Sequence, residues 1–124
     1  MAHLRECLLV GAGGAFGSML RYLLTLLPVY AAFPVITLVI NVSAAFAMGF
    51  FTALLSAHLG GDWSLLLRVG FCGGFSTLSA LSLEVVELSH AHHLIIAGLY
   101  MTGTLMLCLI GIWLGEAIAG WITA

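Results

Sequence analysis

The few residues of this chain that could do chemistry sit inside apolar runs. Asn41 lies among Val39, Ile40 and Val42, with Thr37 one helical turn earlier. The stretch Gly70-Phe71-Cys72-Gly73-Gly74-Phe75-Ser76-Thr77-Leu78-Ser79-Ala80-Leu81-Ser82 places three glycines and four hydroxyl residues in 13 positions, and Glu84 and Glu87 follow it. Tyr100, Thr104 and Cys108 recur every four residues and so share one face of a helix. Arg21 stands about one turn after Gly17 and Ser18. Amide and hydroxyl donors in such surroundings can replace the water around an anion, and main-chain carbonyls freed by a broken helix can hold a small hard cation. Hydroxyls and small residues also serve as simple contacts between packed helices. Packing alone does not explain a hydroxyl ladder beside clustered glycines.

Other spacings lead nowhere. Gly11-Ala12-Gly13-Gly14-Ala15-Phe16-Gly17-Ser18 superficially matches a dinucleotide fingerprint. Its third glycine is one residue late, no acidic residue follows at the required distance, and no βαβ pattern surrounds it. Gly13 with Gly17, and Gly14 with Ser18, read better as small-xxx-small packing faces. His90, His92 and His93 have no carboxylate or thiol to complete a metal set and read as a polar turn between helices. Cys7, Cys72 and Cys108 are widely spaced in apolar sequence and read as inert small hydrophobes. No nucleophile–base pair can be placed on adjacent faces, so the chain is not expected to be an enzyme.

The elements that position these residues follow from composition. Of 124 residues, 63% are hydrophobic and 6% charged, with a mean hydropathy of +1.23. Such a chain cannot cover itself with a polar surface, which excludes a water-soluble globular domain. Three Lys+Arg against five Asp+Glu exclude a nucleic-acid binder. A membrane span takes roughly 20 apolar residues. Four spans are expected, near residues 7–27, 34–57, 64–88 and 94–119, forming one all-α membrane domain over 1–124. Pro28, the Gly60-Gly61-Asp62 turn and the histidine turn separate them. The N-terminal run lacks a small-residue cleavage site and is expected to stay as a span. In the third span the glycines and hydroxyls are poor helix formers, so its helix is expected to break mid-membrane.

These motifs, in order over the whole chain, resemble the small bacterial fluoride channels of the Fluc or CrcB type. Gly13-Gly14-Ala15-Phe16-Gly17-Ser18-x-x-Arg21-Tyr22 is similar to that family's first-span motif, and Phe33-Pro34, Thr37-Leu38, Asn41 and Gly49 to its second span. Gly70 to Thr77 with Glu84 resembles its third-span motif, and Tyr100 with Thr104 its fourth. The resemblance implies a passive fluoride channel that lowers cytoplasmic fluoride from the bacterial plasma (inner) membrane. It also implies an antiparallel, dual-topology homodimer with two pores and a central structural Na⁺. The ion would rest on the backbone carbonyls of Gly73 and Ser76. Asn41 would donate to fluoride, with Thr77, Ser79, Tyr100 and Thr104 along the pathway, Glu84 beside it and Arg21 drawing the anion in. The chain departs from the family pattern at Leu78 and Leu81, where the family has phenylalanines, and at Ala80, where it has threonine.

Two other functions fit four short spans. A proton-coupled multidrug exporter needs a carboxylate inside the membrane, a role open to Glu84. A subunit of a heteromeric channel would take the missing phenylalanines from its partner. Orientation adds no discrimination. Arg5 and Arg68 fall toward one side and Arg21 toward the other, a bias too small to fix topology.

Overall fold

Backbone amides inside lipid have no water to pair with, so an apolar chain of this kind must close its hydrogen bonds within helices. The computed structural model describes residues 2–58 and 60–124, and among these residues the regular structure is entirely helical. Helix α1 covers Ala2–Thr25 and α2 covers Val35–His58. Helix α3 opens as Gly61–Ser64, widens into a π-helix over Leu65–Cys72, and closes as one turn over Gly73–Phe75. Helix α4 runs over Leu78–His90 and α5 over Leu94–Thr123. Four segments are long and apolar enough to cross a membrane: His3–Thr25, Val35–Ser56, Gly61–His90 and Leu94–Thr123. The protein is a multi-pass membrane protein.

The boundaries shift where local chemistry wins over hydropathy. The first helix starts well before Cys7, and Arg5 in its first turns pairs with Asp62, tying the start of α1 to the start of α3. It ends at Thr25, with Leu26 and Leu27 making tighter i−3 bonds before Pro28, which disfavours helical backbone at the residue preceding it. Gly60 caps α3, so Gly61 and Asp62 belong to the helix rather than to the turn. The π-helix was not expected: Gly73 N–H reaches back to the Arg68 carbonyl, five residues away.

Packing is pairwise. The most extensive contacts join α2 to α5 and α1 to α3, while α4 leans on α5. Glycine makes the first two possible. A Cβ on Gly17 would meet the Phe71 and Phe75 backbone, and one on Gly49 would meet the Ile112 backbone. The main chains touch there, the close approach that small residues permit in membranes. The tightly buried centre is small, with Ile40, Ala44 and Phe75 surrounded by Leu20, Leu24, Ile36 and Phe71. Many large apolar side chains stay exposed, among them Leu78 at 75% and Trp121 at 85%. In water this would be a liability, and in a bilayer it is the expected outer surface.

The histidine turn has a backbone function. His92 N–H bonds to Ser89 O at 3.1 Å and His93 N–H to Leu88 O at 2.9 Å, the paired closure of a helix C-terminus. His92 sits at φ 65°, the left-handed position where glycine is normally found. A side chain in that region costs roughly 1–2 kcal/mol. His92→Gly should therefore stabilise the fold by about 1 kcal/mol, read as a higher melting temperature in detergent. An unchanged or lower melting point would show that the histidine ring makes compensating contacts.

Candidate functional site

The helical run of the third span stops at two residues. Ser76 (φ −75°, ψ 155°) and Thr77 (φ −149°, ψ 113°) are extended, and α4 starts anew at Leu78. Thr77 acts as an N-cap, its Oγ1 accepting from Ala80 N–H at 3.2 Å. Ser76 N–H and Oγ both donate to Cys72 O at 3.0 Å. The backbone groups that the interruption frees need partners, because a buried, unpaired one costs about 1–3 kcal/mol.

Asn41 on α2 supplies them for Thr77. Thr77 N–H donates to Asn41 Oδ1 at 2.8 Å, and Asn41 Nδ2 donates to Thr77 O at 3.1 Å. A backbone N–H can only donate, so the carboxamide orientation follows from the contact itself. The side chain is 6% exposed. Among the described residues, one of its two Nδ2 hydrogens is used on Thr77 and the other has no partner.

Around the same turn, Gly74 O accepts from Arg21 Nε at 3.2 Å and from Ser18 Oγ at 3.4 Å. Among the described residues, no side chain and no backbone N–H outside the regular helices donates to the carbonyls of Gly73 or Ser76. Gly73 is exposed, with open space beside its Cα.

A second cluster centres on Glu84. Its Oε1 accepts from Thr37 Oγ1 at 2.6 Å and its Oε2 from Tyr100 OH at 2.7 Å. Thr37 and Tyr100 are 6% and 5% exposed. Thr104 Oγ1 donates to Tyr100 O at 2.6 Å within α5, and the Phe33 ring packs 5.7 Å from the Tyr100 ring. In this arrangement the three hydroxyl protons are already engaged.

Cavities border the clusters. One of about 310 Å³ is walled by Asn41, Thr77 and Thr104, with Leu78 and Leu81 completing its apolar side. A second, of about 340 Å³, lies between Tyr100 and Thr104, and a third, of about 430 Å³, between Thr37 and Glu84. Thr104 thus borders two of them. The residues singled out from sequence fall into three groups: Asn41 with Thr77 and Ser79, whose Oγ is 3.3 Å from Thr77 Oγ1; Glu84 with Tyr100 and Thr104; and Arg21 at the Gly74 carbonyl. Ser79 is exposed and Arg21 half-buried, and neither lines these cavities. Thr37, noted in the sequence one turn before Asn41, was given no place along the pathway, and the structure puts it on Glu84. Ser18 was read only for packing; its bond to Gly74 spans 56 residues and leaves no local trace.

A four-span α-helical membrane protein that gathers amide, hydroxyl and carboxylate groups around an interrupted helix has the build of an ion-conducting protein, not of an enzyme. The family model described as CrcB-like protein, Camphor Resistance (CrcB), matches residues 8–116. The chain is similar to the fluoride-specific ion channel FluC of Paramagnetospirillum magneticum, 39% identical over 118 residues that cover 90% of this chain and 92% of that protein. The like-named protein of Thermococcus gammatolerans is 39% identical, covering 93% and 96%. That of Rhodospirillum rubrum is 40% identical over 116 residues, covering 88% and 90%. The chain belongs to the CrcB family, as the resemblance in its sequence implied.

Proposed function

We propose that this protein is a fluoride-selective channel that lets the ion leave the cytoplasm passively across a bacterial inner membrane. The observation that carries this reading is the buried Asn41 amide. It faces a cavity and holds an interrupted helix with one N–H, while its other N–H is free for an anion. The name shared by the relatives supports fluoride as that anion. Fluoride is small and strongly hydrated, so a selective path must offer N–H and O–H donors in place of water without trapping the ion. Thr77, Ser79, Tyr100 and Thr104 supply hydroxyls along the way. An arriving anion would draw the Tyr100 O–H hydrogen bond away from Glu84, which accepts it again when the ion moves on. Arg21 contributes positive charge near the interruption.

The interruption at Ser76 and Thr77 is read as the mid-membrane break of the third span. The carbonyls of Gly73 and Ser76, to which no side chain among the described residues donates, suit a hard cation with oxygen ligands, and a structural Na⁺ shared by two antiparallel copies fits the exposure of Gly73. The assembly proposed is a dual-topology homodimer.

The test is efflux from proteoliposomes of the purified chain, followed with a fluoride electrode and with chloride as control. Fluoride release at channel speed without chloride release supports the reading; a well-folded dimer silent to fluoride overturns it and favours a heteromeric partner or another substrate. The leucines at the family's phenylalanine positions carry a further expectation. Aromatic ring edges offer an anion a contact on the scale of about 1 kcal/mol, so each restored ring should raise flux about fivefold. Leu78, at 75% exposed, has room for the larger ring, whereas Leu81, at 8%, should lose about 1–3 kcal/mol to overpacking. Leu78→Phe is thus expected to conduct faster and Leu81→Phe to melt lower, measured in the same liposomes and detergent.

A further inference from the structure

We propose that the cavity beside Asn41 is also a binding site for soft, thiophilic d¹⁰ cations, held by Cys72 and Cys108. Three sulfur side chains from three different helices line this one cavity: Met48 of α2, Cys72 of α3 and Cys108 of α5. Cys72 is 1% exposed and Cys108 half-buried, both thiols are free, and Asn41, Thr77 and Thr104 share the wall. The cavity, about 310 Å³, has ample room for a bare metal ion. Thiolate and thioether sulfurs are soft ligands that select cuprous, silver and mercuric ions over hard cations. Two-coordinate linear binding needs only two sulfurs, so no third acidic or imidazole ligand is required. For a mercuric ion the balance is simple. Each thiol releases its proton to solvent, two S–Hg bonds form, and two thiolates on a divalent ion leave no net charge in an apolar cavity. Met48 offers a further weak ligand. Asn41 lines the same cavity.

The experiment uses the purified chain in detergent with mercuric nitrate as the probe. Cys7, exposed on α1 and away from the cavity, is first removed as Cys7→Ala. The expected result is one mercury per chain, two protons released, and a bis-thiolate charge-transfer absorption that disappears in both Cys72→Ala and Cys108→Ala. If Cys72→Ala elutes as an aggregate, Cys108→Ala alone carries the comparison. Two mercury ions per chain, a bis-thiolate band that persists in Cys108→Ala, or no uptake would each overturn the site. Fluoride efflux is read in parallel and should fall at least about tenfold on mercury binding in Cys7→Ala. The site rests on the cavity and not on fluoride conduction. A chain that binds mercury through both cysteines yet moves no fluoride therefore refutes the channel reading and leaves the site standing.

Discussion

Asn41→Leu is expected to abolish fluoride efflux and to lower stability at the same time. The leucine leaves Thr77 N–H and Thr77 O, now paired at 2.8 and 3.1 Å, without partners. At about 1–3 kcal/mol for each unpaired buried group, the fold loses about 2–6 kcal/mol. A leucine variant alone would therefore confuse a missing donor with a collapsed turn. Asn41→Asp retains one of the two bonds. Its carboxylate still accepts from Thr77 N–H, but it leaves Thr77 O without its donor, offers an anion no N–H and adds a negative charge to its path. Its flux should drop about 100-fold or more while its size-exclusion profile stays that of the wild type. Hydrogen bonds to charged groups are worth about 1.5–3 kcal/mol, which alone corresponds to about 10- to 100-fold. An aspartate variant that conducts at the wild-type rate would remove Asn41 from the pathway and leave it a structural clamp.

The second large effect concerns the seam between α2 and α5. A Cβ on Gly49 would run into the Ile112 carbonyl, and a Cβ on Gly115 into the Phe46 carbonyl and Phe50 amide. These obstacles are main chain, which cannot swing aside as a side-chain tip does. Gly49→Val and Gly115→Val should each cost about 3 kcal/mol or more, beyond ordinary overpacking, because two helices must separate along their length. Both variants are expected in the void volume on size exclusion. Gly120→Ala, at a position with open space around it, should be neutral or slightly stabilising, since alanine is the better helix former. Normal elution and melting of Gly49→Val would mean that the α2–α5 approach tolerates a wider spacing than the structure has.

Much of this was legible in the chain itself. Four spans, their approximate limits and the small-residue faces of α1 follow from hydropathy and spacing, because lipid forces backbone bonds to close locally and leaves side chains to report their surroundings. The ordered motifs around Gly13, Asn41, Gly73 and Tyr100 were enough to point to the family. The histidine turn shows the limit. His90, His92 and His93 look alike in sequence, and only the backbone at His92, with φ 65°, reveals that one of them closes a helix end. The cysteines show it again, since Cys72 and Cys108 are 36 residues apart in number and both line one cavity.

Sequence by itself determined that this is an all-helical membrane protein with four candidate spans, and roughly where each span lies. Each of these depends on neighbours within a few turns. Tertiary structure decided how the polar groups are partnered. Asn41 meets Thr77 from 36 positions away, Glu84 gathers Thr37 and Tyr100 from two other helices, and Arg21 ends on the Gly74 carbonyl. Those pairings depend on how closely helices approach and at what register, which is set by glycines whose contacts are with backbone atoms far along the chain. A hydrogen bond acts only within about 3 Å, so no periodicity in the chain can announce it before the helices have packed.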